Sequence, residues 1–147
     1  MNLRLGKIYE SARAASGYTQ ERWAEYLGVS TEAVRSYELG KYFPTDEVLL
    51  RMADISGNKA LPYWHLSQKS RIAGEILPTL EEQPALPQAV LGLLIAIENF
   101  QERGMRDLMR IASDGKVSDD EIIPFGQALA QLSEMVRSAY AVGYSKE

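Results

Sequence analysis

The side chains with the most specific chemistry in this 147-residue sequence stand in TEAVRSYELGKY, residues 31–42. If that stretch is helical, Val34 and Tyr37 must turn inward, and Thr31, Glu32, Arg35 and Ser36 are left outside. They place two hydroxyls, a carboxylate and a guanidinium on one short surface. A guanidinium fork such as that of Arg35 matches the O6 and N7 acceptors of guanine, a pairing that gives about 1–3 kcal/mol of discrimination. Glu32 has two readings: it accepts a hydrogen bond from the amino group of cytosine, or it pairs with Arg35 one turn on.

Two short helices with a tight joint must position these residues. Thr19 can cap the first, whose inward face is Trp23, Ala24 and Leu27. Gly28 breaks it, Ser30 caps the second, and Gly40 ends that one. Helices joined so closely cross steeply, and the second is pushed out as a ridge of the diameter that the DNA major groove admits. Before this pair, Leu5, Ile8, Tyr9, Ala12 and Ala15 share one helical face, with Gly17 as a stop. After it, Thr45 caps a helix carrying Leu49, Met52, Ala53 and Ser56, and Gly57 stops it. ALPYWHL, residues 60–66, is a short fifth piece with Pro62 near its start.

From Leu5 to Ser56 the chain resembles the Cro/cI-type helix-turn-helix proteins of the XRE family, which are phage-repressor-like regulators. The resemblance rests on Thr19-Gln20, Ala24, Leu27-Gly28-Val29-Ser30, Val34, Tyr37-Glu38, Gly40-Lys41, Pro44 and Leu49 at their spacing. It implies an all-α fold with an N-terminal five-helix lambda-repressor-like domain. It also implies base reading by Thr31, Glu32, Arg35 and Ser36, and backbone contacts from Gln20, Ser30, Lys41 and Tyr42. A structural ion pair between Arg13 and Glu38 is implied as well. Trp23 departs from the leucine common at its position, so the core must rearrange around it.

Elsewhere the chemistry thins out. His65 is the single histidine and has no partner close in sequence, so packing or hydrogen bonding is its expected role and no Ser/His/Asp set can be assembled. The absence of cysteine excludes disulfides, thiol catalysis and the usual zinc-finger ligands. SDGKVSDDE, residues 113–121, looks like half of a calcium loop, with Glu121 in the closing place and Val117 in the hydrophobic one. Its first and third ligand places would fall on Arg110 and Ala112, whereas calcium needs about six to eight oxygens. The segment reads instead as a corner, where Gly115 ends one helix, Ser118 caps the next and Glu121 completes a capping box. Glu81–Glu82 and Asp119–Asp120 lie on turns without an adjoining apolar pocket, and there is no Gly-rich phosphate loop. The expectation is a protein that is not an enzyme and takes no cofactor and no metal.

Pro78, Pro84 and Pro87 frame an acidic joint, so the sequence divides into residues 1–66, a linker 67–86 with a short helix, and a C-terminal helical hairpin 87–147. In the hairpin, Val90, Leu94, Ile97, Gln101, Met105, Leu108 and Ile111 follow helical spacing, and Leu91, Leu93, Ile95 and Phe100 widen the apolar surface. Gly104 lies inside and weakens or breaks the helix. A last helix carries Ile122, Phe125, Ala128, Leu132, Met135, Ala139 and Val142, and Pro124 should kink it or delay its start. Charge follows the same division: residues 1–70 hold nine Lys/Arg against eight Asp/Glu, and residues 71–147 seven against twelve. The first part tolerates phosphates and the second is repelled by them. Two helices cannot cover so wide an apolar surface, so a homodimer through residues 87–142 on double-stranded DNA is the expected state. The alternative is an antitoxin-like protein whose C-terminal helices bind a protein partner. There is no signal-type N-terminus, and the longest apolar run, residues 91–97, is far below the ~20 residues of a membrane span, so a cytoplasmic protein with no membrane partner is expected.

Overall fold

The computed structural model describes residues 3–80 and 83–146, so Glu81 and Glu82 of the acidic joint lie outside the described residues. The chain forms two compact units that divide between Leu77 and Pro78. Both are helical, and no strand is present among the described residues.

The N-terminal unit contains α1 (Leu3–Ala15), α2 (Gln20–Leu27), α3 (Thr31–Glu38), α4 (Asp46–Ser56), α5 (Leu61–Lys69) and the short α6 (Arg71–Ile76). Leu5, Tyr9 and Ala12 of α1 meet Trp23, Ala24 and Leu27 of α2, Val34 of α3, Leu49 and Met52 of α4, and Leu61 of α5 in one buried core. Trp23 is fully buried there, with the Tyr18 ring 5.9 Å away. Ala15, one of the expected inward residues of α1, is exposed at the end of its helix. The Thr19, Ser30 and Thr45 hydroxyls accept from the amides of Arg22, Ala33 and Val48 at 3.3, 3.1 and 3.4 Å. Each cap contributes about 1 kcal/mol to a helix too short to stand alone. Pro62 sits in the first turn of α5, where its missing N–H removes no helical bond.

His65 is buried, and its Nδ1 lies 2.6 Å from the Tyr9 hydroxyl. Burial lowers its pKa below 6.5; Lys69 lowers it further and Asp46 acts in the opposite sense. The folded form therefore resists protonation that the unfolded chain accepts. Stability is full above the unfolded pKa near 6.5 and falls as pH drops below it, by at most about 1.4 kcal/mol per pH unit. Urea unfolding between pH 7 and 5 should show this slope, and His65→Gln should flatten it. A slope unchanged in the variant would assign the acid loss to other groups.

The C-terminal unit is a hairpin. One arm runs through α7 (Leu86–Asn99), a π-helical turn (Phe100–Gly104) and α8 (Met105–Ile111), and α9 (Ile122–Gly143) returns beside it. Backbone bonds fasten the open end: the Leu86 amide donates to the Lys146 carbonyl at 3.2 Å and the Lys146 amide to the Pro84 carbonyl at 3.0 Å. The expected apolar stripes form the seam only in part. Of their members, Ile111 and Ala128 are buried and Ile97, Leu108, Phe125, Leu132, Met135 and Val142 half-buried, but Val90, Leu94, Gln101, Met105, Ile122 and Ala139 are exposed; Ala89, Ala96, Gly104 and Ser138 are buried beside them. Small side chains allow the two arms to approach closely, and a Cβ on Gly104 would meet the Phe100 ring at 2.7 Å as well as the Gln131 side chain.

The π turn keeps that seam on one face. Ala96, Phe100, Gly104 and Leu108 are successive four-residue steps, each of which drifts about 40° in an α-helix. A wider turn takes up the drift. Gly104 thus marks a close approach and not a break. At the corner, the Glu121 carboxylate accepts from the Ser118 amide at 3.1 Å and hydroxyl at 2.7 Å. Ser118 is not the helix cap, because α9 begins only at Ile122, which leaves Pro124 in its first turn. Among the described residues, no helix is long and apolar enough to cross a membrane.

Candidate nucleic-acid interface

Gly28, Val29 and Ser30 join α2 to α3, and two hydrogen bonds fix the reversal. The Gly28 amide donates to the Glu25 carbonyl at 3.2 Å and the Val29 amide to the Ala24 carbonyl at 3.1 Å. This closure needs a left-handed residue, and Gly28 has φ 69°. The end of α3 repeats the device with Gly40 at φ 65°: its amide donates to Tyr37 and that of Lys41 to Ser36, at 2.9 and 3.0 Å. An eight-residue helix is thus bounded by a glycine turn before its cap and another after its end.

The geometry behind α3 is stiff. Glu38 lies at its last turn, and Arg13 of α1 donates to both carboxylate oxygens, Nε to Oε1 at 2.5 Å and a terminal nitrogen to Oε2 at 3.1 Å. Gln20, the first residue of α2, donates its amide to the same Oε2 at 2.7 Å. One carboxylate therefore ties α1, α2 and α3 together. Gly6 of α1 meets the same end of α3, since a Cβ there would run into the Glu38 carbonyl and stand 2.9 Å from the Gly40 amide.

On the free surface of α3, Glu32 and Arg35 are exposed and pair with each other at 3.3 Å. An exposed pair of this kind is worth about 0.2–1 kcal/mol, so it costs little for Arg35 to leave it for another acceptor. Thr31 is half-buried at the start of the helix. Ser36 is a correction to the sequence reading: only 7% of it is exposed, not an outward position. The chain folds back over its turn, with the Lys41 and Tyr42 amides both donating to the Ser36 carbonyl. The exposed side chain beyond Arg35 is Leu39. Ser30 is exposed, but its hydroxyl is engaged as the cap of α3. Lys41 and Tyr42 stand out in the following loop, and Phe43 beside them lies under the Lys69 ammonium, 5.4 Å from the ring centre.

The helix-turn-helix family model matches residues 10–57, which contain α2, α3 and the Arg13–Glu38 contact. This segment is a helix-turn-helix domain of the XRE type. The chain is also similar to the SPbeta prophage-derived uncharacterized HTH-type transcriptional regulator YonR of Bacillus subtilis (strain 168), with 33% identity over 52 residues, 35% of this chain and 48% of that protein. The chain thus spans about half the length of the relative it matches. No solved structure matches it.

Within the helix-turn-helix domain, Gln20 and Lys41 stand at opposite ends of the pair, one opening α2 and the other closing α3. Gln20 keeps one amide proton beyond its bond to Glu38. Two residues at or behind this surface escape sequence reasoning. Leu39 carries no polar group that would draw notice. Gly6 gives a signal that passes easily: a glycine inside an apolar helical pattern costs about 1 kcal/mol against alanine and needs a packing reason.

Proposed function

We propose that this protein is a sequence-specific regulator of transcription that binds double-stranded DNA through α3 and acts as a repressor. The observation that carries the reading is a short helix held from behind by Arg13, Gln20 and Gly6, with Glu32 and Arg35 turned to solvent. α3 lies in the major groove, with Thr31, Glu32 and Arg35 toward base edges. Gln20, Ser30, Lys41 and Tyr42 flank it toward phosphates. Two copies joined through residues 87–142 read a two-fold-related operator. The site is cytoplasmic and the protein performs no catalysis.

The reading distinguishes two kinds of contact. Arg35→Ala should relax the choice at one base pair and cost about 1–3 kcal/mol on the preferred site, while Lys41→Ala weakens all sequences alike and makes the salt dependence shallower. Titrations of duplexes by fluorescence anisotropy at several salt concentrations separate them. A uniform loss from Arg35→Ala would move that side chain to the backbone. An unchanged salt slope for Lys41→Ala would remove its phosphate contact. The many exposed aliphatic side chains of the C-terminal hairpin also favour a second reading, an antitoxin-like chain whose hairpin holds a protein partner while the N-terminal unit binds DNA.

A further inference from the structure

The two sides of the C-terminal hairpin differ, and helical geometry sorts them. Successive residues of an α-helix turn by about 100°, so each arm has two flanks beside its buried seam. Asn99 and Arg103 on the first arm and Gln131 and Glu134 on α9 line a shared cavity of about 260 Å³, which identifies the polar side of both arms. The opposite flank of the first arm carries Val90, Leu94, Met105 and Met109, all exposed. The same flank of α9 carries Ile122, Leu129 and Val136 at intervals of one heptad, also exposed. No Asp, Glu, Lys or Arg stands among these positions; Glu98, one turn after Leu94, borders them, and Gln101 is the polar member of the first arm's stripe.

We infer that a second copy of this chain covers this side, related by a two-fold axis, so that the two hairpins form a four-helix arrangement. The inference rests on the dimeric reading above and assigns the surface that reading leaves open. Two properties select a second copy as the occupant. Residues 78–147 hold eleven Asp/Glu against six Lys/Arg, so two such units repel one another except through a face without charge, and each copy supplies that face. The size also fits. The 22 residues of α9 extend about 33 Å, and two helices side by side are about 20 Å wide, a footprint of roughly 650 Å². Allowing for surface relief, that approaches the ~800 Å² per partner of a standard interface.

The test compares charges placed three residues apart on one helix. Leu94 belongs to the apolar side, whereas Leu91, 59% exposed, points away from both the seam and that side. Sedimentation velocity of the full chain over a range of concentrations, without DNA, should give a dimer for the wild type and for Leu91→Glu. Leu94→Glu and Leu129→Glu should each weaken self-association at least about a hundredfold, because each dimer would bury two unpaired carboxylates. If Leu94→Glu loses helical circular dichroism, Met109→Glu, at a site 70% exposed, carries the same comparison. A monomeric wild type, or dissociation by Leu91→Glu with Leu94→Glu still dimeric, overturns the assignment. Failure of the wild type to bind any duplex would instead defeat the DNA-binding reading and leave the sedimentation result standing.

Discussion

Gly6→Ala should lower the melting temperature of the N-terminal unit by roughly 10–20 °C, the shift that about 2–3 kcal/mol produces in a domain of this size. The sign is not what helix propensity gives, since alanine is favoured over glycine in a helix by about 1 kcal/mol. Propensity loses because the added methyl has no room. It would run into the Glu38 carbonyl and the Gly40 amide, and both are backbone that no rotamer change can move. α1 must lift from the end of α3, which also strains the Arg13–Glu38 contact. DNA affinity should fall with the melting temperature, and calorimetry with anisotropy on one preparation tests both. A variant as stable as the wild type would mean that the two helices are not in contact at Gly6.

Glu38→Ala should be comparably severe, at about 3 kcal/mol, in the range found when one partner of a largely buried ion pair is removed. The Arg13 guanidinium would keep the Tyr18 carbonyl, 2.8 Å from its other terminal nitrogen, and lose both carboxylate oxygens. Gln20 would lose its acceptor as well. The loss measures an orphaned charge and not the net worth of the pair, so Arg13→Ala together with Glu38→Ala should cost less than the two added, by at least about 1 kcal/mol. Urea denaturation of the four proteins of the cycle gives that coupling. Strict additivity would show that the carboxylate does not act through Arg13.

The helix pair is legible in the sequence because its punctuation is local. Thr19, Gly28, Ser30 and Gly40 act through their own backbone within a few residues, and the helices begin and end where these residues require. The pairing of Arg13 with Glu38 is legible only through the family resemblance, since nothing in the spacing brings residues 25 apart together. Ser36 is misread because a face count gives a direction and no depth, and the fold-back of Lys41 and Tyr42 onto its carbonyl depends on the course of the loop.

In the hairpin the periodicity is real, but only part of each stripe is buried. The largest aliphatic residues define the sequence stripe, whereas the buried positions of the seam, Ile111 apart, are alanine, serine and glycine, which carry little hydrophobic signal. The π turn at Phe100–Gly104 adds to the difficulty, because no pattern based on a 3.6-residue repeat anticipates a local change of pitch.

Selection of bound sites by the 147-residue chain from random duplex DNA tests the central claim most directly. The account predicts enrichment of a two-fold-related sequence whose half-site centres lie about 34–36 Å apart, one helical turn of DNA, with Arg35→Ala relaxing one position in each half. A pool with no enrichment at low salt, from a chain that is folded, would contradict it.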